Sequence, residues 1–217
     1  MNKLNILFLV CLAFCGVFVS AEMTAVSPDG YNHNVRVYVE KGWNLVLLVD
    51  VGDILDTSEI KQEDVLTSWI YSPEEKKYLQ FYPNRSEFDF YYSRNKFSEY
   101  SKAMGRLGFG SMWIYSKKVG YLQYYRVDVP KIDNITLLQG WNFLTMTPEM
   151  SGRNLNDIKS GCNVEKAFSF KNQKWTALGS RTFDLSSVGT GFIVRVSSDC
   201  TMDSDIQQIN PSGIVLN

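Results

Sequence analysis

The hydrophobic residues divide the chain into one long apolar run at the N-terminus and shorter patterned segments after it. Residues 4–19 form a run of 16 residues that is apolar except for Asn5, preceded by Lys3 and followed by small residues up to Ala21. This arrangement is typical of a secretory signal peptide. The run is shorter than the roughly 20 residues that a membrane-spanning helix needs. The sequence therefore predicts a cleaved signal peptide at residues 1–21, with an uncleaved membrane anchor as the alternative.

Beyond this run, alternating side chains predict β-strands. The alternation in residues 35–39, and again in residues 121–127, matches the two-residue period of a strand. Aromatic residues make up 14% of the chain, and Tyr and Phe, which supply most of them, favour strands. The predicted fold class is mainly β with short helices, and an α+β fold is the alternative.

Several motifs occur twice along the chain, in the same order. Gly42-Trp43-Asn44 recurs as Gly140-Trp141-Asn142, and an apolar segment follows each copy. A short helical segment is expected next, beginning at Asp56 in the first copy and at Asn154 in the second. Each copy ends with an aromatic hairpin and a Gly-x-Gly motif before another strand. The hairpins begin at Trp69-Ile70-Tyr71 and Phe168-Ser169-Phe170, and the Gly-x-Gly motifs are Gly108-Phe109-Gly110 and Gly189-Thr190-Gly191.

This self-similarity predicts two tandem copies of a small β-sandwich- or barrel-like module. The short segment 129–134 joins the copies and contains one Pro, so we expect them to pack against each other. The five predicted parts are a signal peptide (1–21), an N-terminal lead-in (22–34), module 1 (35–131), module 2 (132–203) and a C-terminal tail (204–217).

The first copy is longer because it carries an insertion near residues 84–101, with a helix expected over about 97–107. The run FDFYY in this insertion alternates, which predicts a strand with Phe88, Phe90 and Tyr92 on one face. Insertions in repeat proteins map to loops, often on a binding face. The candidate binding surface is therefore formed by Phe88, Phe90, Tyr91 and Tyr92.

Together these motifs resemble a β-rich module of secreted and surface-exposed bacterial and archaeal proteins. Its marks are a strand that starts with Gly-Trp-Asn, a short helix, an aromatic hairpin and a Gly-x-Gly strand, and the resemblance covers most of residues 36–200. The second copy departs from it at the position of Trp113, where it has Ile193 or Val194. The resemblance implies an extracellular module that often accompanies other domains, and it implies no reaction.

Charge and cysteine content narrow the cellular setting. The formal net charge is −1, which gives no electrostatic attraction to nucleic acid. The only membrane association that the sequence suggests is through an uncleaved signal segment. Two of the four cysteines lie in the predicted signal peptide, so Cys162 and Cys200 are expected to form a disulfide in an oxidising compartment. Asn84 and Asn134 begin N-x-S/T tripeptides and are candidate glycosylation sites.

No catalytic, cofactor-binding or metal-binding residues are predicted. His33 is the only histidine, and no nucleophile or orienting acid stands near it in the sequence. Paired carboxylates such as Glu74-Glu75 lie in a predicted turn, where a solvated charge is the ordinary interpretation. The tryptophans occupy positions that define the repeat, so they are expected to be buried in the cores: Trp43, Trp69, Trp113, Trp141 and Trp175.

The function expected from these features is that of a non-enzymatic protein, secreted or in the cell envelope, with a binding or structural role. Its partner is unknown, with a cell-surface glycan or protein as the candidates. A carboxylate-dependent hydrolase acting on extracellular polysaccharide is one alternative. A secreted adhesin or inhibitor that uses the insertion is another.

Overall fold

The computed structural model describes residues 22–26, 33–94, 110–126, 132 and 135–202. Most of these residues lie in antiparallel strands with short helices between them, so the prediction of a mainly β fold with short helices is confirmed. Four predicted features fall outside the described residues: the signal peptide, the helix over 97–107, most of the segment 129–134 and the tail 204–217.

Thirteen strands and two short α-helices are described. The strands are β1 (Glu22–Val26), β2 (His33–Val39), β3 (Gly42–Leu47), β4 (Val65–Ser72), β5 (Lys77–Tyr82), β6 (Ser111–Ser116), β7 (Gly120–Arg126), β8 (Ile135–Leu137), β9 (Gly140–Thr145), β10 (Val164–Lys171), β11 (Lys174–Ala177), β12 (Gly191–Val196) and β13 (Cys200–Met202). The helices are α1 (Ser86–Arg94) and α2 (Leu155–Ile158), and four 3₁₀ turns occur at Val51–Asp53, Gln62–Asp64, Pro148–Met150 and Leu185–Ser187.

The strands of the first half form two sheets around one core. One sheet has the order β3-β6-β4-β5 and the other has the order β1-β2-β7. Alternate residues of β2 point into the core, where Val35, Val37 and Val39 are almost fully buried. The buried aliphatic side chains of both sheets form a single cluster with those of the connecting segments.

The second half has the same strand order and the same pairing register. Its larger sheet runs β9-β12-β10-β11 and its smaller sheet pairs β8 with β13. Gly42 faces Ser116 in the first half as Gly140 faces Val196 in the second. The smaller sheets correspond in the same way, since Val39 lies opposite Gly120 and Leu137 lies opposite Cys200. A separate buried cluster fills this half.

The two Gly-Trp-Asn motifs share one physical role, which is to turn the chain from one sheet into the other. Gly42 and Gly140 have φ angles of 102° and 104°, a region that disfavours residues with a side chain. The Asn44 side-chain oxygen accepts from the Glu40 N–H at 2.8 Å, and its amide donates to the Glu40 carbonyl at 2.8 Å. Asn142 makes the same pair of bonds with the backbone of Leu138. The Asn side chain therefore supplies hydrogen bonds to backbone N–H and carbonyl groups of a tight turn.

The FDFYY segment forms helix α1, so the prediction of a strand there is wrong. Phe88 and Tyr92 are four residues apart, lie on one face of this helix and are buried in the first core. Their ring centroids lie 4.5 Å apart, and Phe88 also meets Phe81 at 4.8 Å. The pattern is ambiguous because Phe88 and Tyr92, at i and i+4, share a face in a helix as well as in a strand.

The two predicted helical segments have different outcomes. Asn154 is the N-cap of α2, and its side chain accepts from the Asn156 N–H at 2.8 Å, as the sequence predicts. In the first half, the residues that follow Asp56 form a turn and then the 3₁₀ turn Gln62–Asp64, and Val65 already begins β4. The capping-type spacing at Asp56 therefore does not start a helix.

The halves contact each other through β3, β6, β9, β10 and β12. The Leu47 N–H donates to the Gly189 carbonyl at 2.8 Å, and the Thr145 hydroxyl donates to the Gly110 carbonyl at 2.9 Å. Gly191 permits this approach, because a β-carbon there would collide with Leu45 and would lie 2.6 Å from the Ser111 β-carbon. Within the described ranges, no helix has the length and apolar character needed to cross a bilayer.

Cys162 and Cys200 are bonded, and their Cα atoms lie 5.4 Å apart. The bond connects the segment after α2 to the first residue of β13 across a separation of 38 residues. We expect the double variant Cys162→Ala/Cys200→Ala to lose about 4 kcal/mol of unfolding free energy, because an uncrosslinked unfolded chain gains entropy. Urea denaturation measures this, and a midpoint equal to that of the parent protein contradicts it.

We expect Gly191→Ala to lower the free energy of unfolding by about 1–3 kcal/mol, because the added methyl group overpacks the contact between the halves. Gly161→Ala is the matched control, since a β-carbon there meets no atom within 4 Å. That control should change stability by less than about 0.5 kcal/mol. Equal effects of the two substitutions in urea denaturation contradict the role assigned to Gly191.

Candidate aromatic binding site

The tryptophans lie on the outward faces of the two larger sheets and not in the cores. In β4, buried Ser68 and Ile70 alternate with half-buried Trp69 and Tyr71. The same alternation in β6 turns Trp113 outward. The prediction of buried tryptophans is therefore wrong: Trp43 is 37% exposed and Trp175 is 45% exposed. The remaining three, Trp69, Trp113 and Trp141, are half-buried.

Aromatic side chains from both halves line a groove where the two outward faces meet. Its volume is about 660 Å³, and among the described residues its lining is entirely aromatic. The first half contributes Trp43, Trp69, Tyr78 and Trp113, and the second half contributes Phe170 and Trp175. We call this the aromatic groove. Tyr78 and Trp175 occupy corresponding register positions, opposite Tyr71 and Phe170, so the groove crosses the junction of the halves.

Trp113 is the centre of the ring contacts in the aromatic groove. Its ring centroid lies 4.9 Å from that of Phe170, 5.6 Å from that of Trp175 and 6.2 Å from that of Trp43. The ring planes of these three pairs cross at 80–87°, the edge-to-face arrangement that the charge distribution of aromatic rings favours. These contacts hold the rings in fixed orientations, so the groove is formed before any ligand arrives.

Tyr78 lines the groove, Tyr71 lies opposite it in the β4–β5 hairpin, and both phenols remain neutral. Burial raises the pKa of Tyr78 above its usual value, although a side-chain hydrogen bond with Trp113 opposes the rise. Burial also raises the pKa of Tyr71, and Tyr78 beside it adds to the effect. The Tyr71 and Tyr78 rings meet each other at 5.2 Å and both contact Phe143. A neutral phenol both donates and accepts hydrogen bonds, which gives this apolar face a polar element.

A second cavity, which we call the polar cleft, shares Trp43 and Phe170 with the aromatic groove. Its volume is about 480 Å³. Hydroxyl, amide and charged side chains of the second half line it together with β3 and the end of β2. The polar residues include Glu40, Ser169, Lys171, Asn172, Asp184 and Ser187.

The candidate binding surface predicted in the insertion is only partly at the surface. Phe88 and Tyr92 are buried, whereas Phe90 is 55% exposed and Tyr91 is half-buried. A ligand therefore cannot reach the four rings together. Buried Phe88 and Tyr92 also mean that deletion of residues 84–101 would open the first core.

The other candidate residues that the structure describes lie in separate elements of the fold. Asn84 is exposed just before α1, where its side-chain oxygen accepts from the Ser86 N–H at 3.0 Å, whereas Asn134 lies outside the described residues. His33 is the first residue of β2. Glu74 and Glu75 lie in the turn between β4 and β5, where Glu74 accepts from the Ser72 hydroxyl at 3.0 Å. In the described parts of the chain, no three His, Cys, Asp or Glu side chains are grouped to hold a metal ion.

The sequence prediction misses the aromatic groove because it places each tryptophan in the core of its own half. The signal that could have revealed it is the phase of the aromatic residues within each strand. Trp69 and Tyr71 share one phase of β4, while Ile70 occupies the other, and Phe168 and Phe170 share one phase of β10. A strand that is aliphatic on one face and aromatic on the other has two apolar faces, and only one can face its own core.

We expect Trp43→Ala and Trp141→Ala each to lower the free energy of unfolding by about 1–2 kcal/mol. Removing a partly exposed ring loses less buried area and fewer contacts than removing a ring from a core. Phe192→Ala is the comparison, since Phe192 is fully buried and its loss should cost about 3–5 kcal/mol. Urea denaturation of the three variants measures the difference. A loss at Trp43 as large as that at Phe192 contradicts the surface role of this tryptophan.

No known protein-family model, curated protein or solved structure matches the chain. The role of the aromatic groove therefore has to be inferred from its own geometry and chemistry.

Proposed function

We propose that this is an extracytoplasmic, non-enzymatic binding protein whose ligand contacts the aromatic groove. One observation supports the proposal above all: six aromatic side chains from the two halves, each of which has its own core, converge on one accessible groove. Rings that are 37–46% exposed, as Trp43, Tyr78 and Trp175 are, leave apolar area in contact with water. A ligand that covers these rings would remove that area from water and gain about 25 cal/mol per Å².

We further infer that the chain contains two copies of one module and that the groove is a product of their pairing. The common strand order and register of the two halves support this inference. Each half supplies only part of the lining, with Trp43, Trp69, Tyr78 and Trp113 from one and Phe170 and Trp175 from the other. The binding site would then require both halves in contact, which gives a reason for the chain to contain two modules and not one.

The extracytoplasmic location is supported by two independent features. Residues 1–21 have the composition of a signal peptide, and the Cys162–Cys200 bond is of a kind that persists in oxidising compartments. Exposed Asn84 offers an acceptor site for glycosylation in such a compartment.

Two carboxyl groups, Asp184 and Asp64, have lowered pKa values and structural partners, so neither is a candidate for the proton-donating acid of a hydrolase. Hydrogen bonds from the backbone and hydroxyl of Ser186 hold the pKa of Asp184 below its usual value, at the start of a 3₁₀ turn. Burial acts to raise the pKa of Asp64, but a hydrogen bond from the Lys118 side chain and one from the Lys61 N–H outweigh it and lower the pKa. A glycosidase acid needs the opposite shift, since it must hold a proton near neutral pH.

The proposal is tested by titrating the protein with chitotetraose, cellotetraose, mannotetraose and a decaproline peptide while recording tryptophan fluorescence. We expect a ligand of this set to change the emission, because tryptophans in the aromatic groove report its occupancy. The double variant Trp43→Ala/Trp175→Ala should bind that ligand at least tenfold more weakly, since hot-spot aromatics contribute about 2 kcal/mol or more.

Trp141→Ala is the control for this titration, because Trp141 lies outside the aromatic groove. It should bind as the parent protein does, and circular dichroism should show all variants folded. Binding that the double variant retains in full contradicts the proposed site. Release of shorter sugars, detected by mass spectrometry after incubation, contradicts the non-enzymatic role.

A further inference from the structure

The polar cleft breaks the correspondence between the two halves of the protein. Its counterpart across the junction is the space beside Tyr71, Asn142 and Phe143, which correspond in register to Phe170, Asn44 and Leu45. That counterpart has a volume of only about 20 Å³, whereas the polar cleft has about 480 Å³. Of two corresponding positions at the junction, the one beside Tyr71 and Phe143 is therefore a closed contact, and the other is the open polar cleft.

The closed side is filled by aromatic contacts. Tyr71 and Phe143 place their ring centroids 4.9 Å apart, and Tyr78 meets Phe143 at 5.8 Å. On the open side, Leu45 occupies the position that corresponds to Phe143, so Phe170 has no ring partner from that position of the strand. Pro73, Glu74 and Tyr92 add to the lining of the closed side. The open cavity is thus explained by a single smaller residue and by the absence of such covering groups from its lining.

The lining of the polar cleft combines one aromatic wall with many hydrogen-bonding side chains. Trp43 and Phe170 form the wall that it shares with the aromatic groove. The remaining lining includes the hydroxyls of Ser169 and Ser187, the amide of Asn172, the Lys171 ammonium and two carboxylates. A site with this mixture suits a ligand that is apolar on one face and rich in hydroxyl groups around its edge.

Building on the proposed binding function, we propose that the aromatic groove and the polar cleft form one continuous site for a neutral oligosaccharide. The apolar C–H faces of sugar rings lie on the tryptophans, where they gain dispersion contacts and leave water. The hydroxyl groups of an adjoining sugar enter the polar cleft and bond with its carboxylate, ammonium and amide groups. Carboxylates and ammonium groups make the stronger of these hydrogen bonds, because one partner is charged.

The charges of the polar cleft favour a neutral sugar over an acidic one. Glu40 and Asp184 contribute two carboxylates, and Lys171 contributes one ammonium group. Hydrogen bonds from Ser186 keep Asp184 ionised, with Lys171 lowering its pKa further. A uronic acid residue would meet a net negative lining and be repelled, whereas neutral hydroxyls can donate to both carboxylates.

A proline-rich peptide is the other occupant that an aromatic groove could take, and the polar cleft disfavours it. Such peptides dock on aromatic rings as an extended helix that exposes few hydrogen-bonding side chains. They would fill the aromatic groove and leave the hydroxyl, amide and charged groups of the cleft without new partners. A sugar chain uses both parts of the site.

The test is calorimetric titration of the full mature chain with chitotetraose, cellotetraose and mannotetraose, and separately with tetragalacturonate and decaproline. We expect at least one neutral tetrasaccharide to bind more tightly than tetragalacturonate. Glu40→Gln should weaken that binding by about fivefold, because a neutral acceptor replaces a charged one. Lys171→Ala should weaken it by about tenfold or more, because a hydrogen bond to a charged group is lost. Glu75→Gln and Lys166→Ala are the matched controls, since both are exposed and outside the lining of either cavity, and they should leave the affinity unchanged.

The outcomes separate this inference from the function on which it rests. One outcome is decaproline binding that requires Trp43 and Trp175 but is unaffected by Glu40→Gln and Lys171→Ala. That result supports the aromatic groove and overturns the oligosaccharide site. Sugar binding that ignores both cleft substitutions likewise overturns the role of the polar cleft. Tighter binding of tetragalacturonate than of every neutral sugar overturns the charge argument, and so does failure of all three neutral sugars to bind.

Discussion

The close approach of the two halves at Gly191 is the constraint on which the aromatic groove depends. Without a side chain there, Leu45 and Ser111 reach the backbone of β12, and the Leu47 N–H bonds to the Gly189 carbonyl. This contact brings the outward face of one large sheet next to that of the other. Trp113 then meets Phe170 at 4.9 Å and Trp175 at 5.6 Å, and the aromatic groove is the space that remains between the faces.

Each large sheet is apolar on both faces, which a single small module could not tolerate in water. One face covers the core of its own half, and pairing of the halves partly covers the other. The pairing leaves Trp43, Tyr78 and Trp175 between one third and one half exposed. Exposed contiguous apolar area of this kind is rare on monomeric proteins unless it binds something. The aromatic rings therefore hold the halves together, and their exposed part is the apolar surface on which the proposed binding function rests.

Departures from the internal correspondence are informative because the shared features account for the fold. The turn formed by Gly42 and Asn44 occurs again at Gly140 and Asn142 with the same hydrogen bonds, so it serves the structure of each half. The corresponding positions Leu45 and Phe143 differ in what they contact, since Leu45 packs against Gly191 and Phe143 packs against Tyr71 and Tyr78. This difference leaves an open polar cleft on one side of the junction only, next to the aromatic groove.

Much of the fold could be predicted from the sequence, because strands, tight turns and caps depend on near neighbours. Alternation located β2 and β7, the repeated motifs located both hairpins, and Asn154 was identified as the start of a helix. The same local rules failed at FDFYY, where strand and helix patterns coincide over five residues and only burial of Phe88 and Tyr92 against the first core selects the helix. The phase of the aromatic residues shows that a strand has a second apolar face, but what covers that face could not be predicted. Whether an outward face meets water or another sheet is decided by contacts between residues far apart in the chain. Tertiary structure alone placed Trp113 against Phe170, and it turned tryptophans that local patterns assign to a core into the lining of a groove.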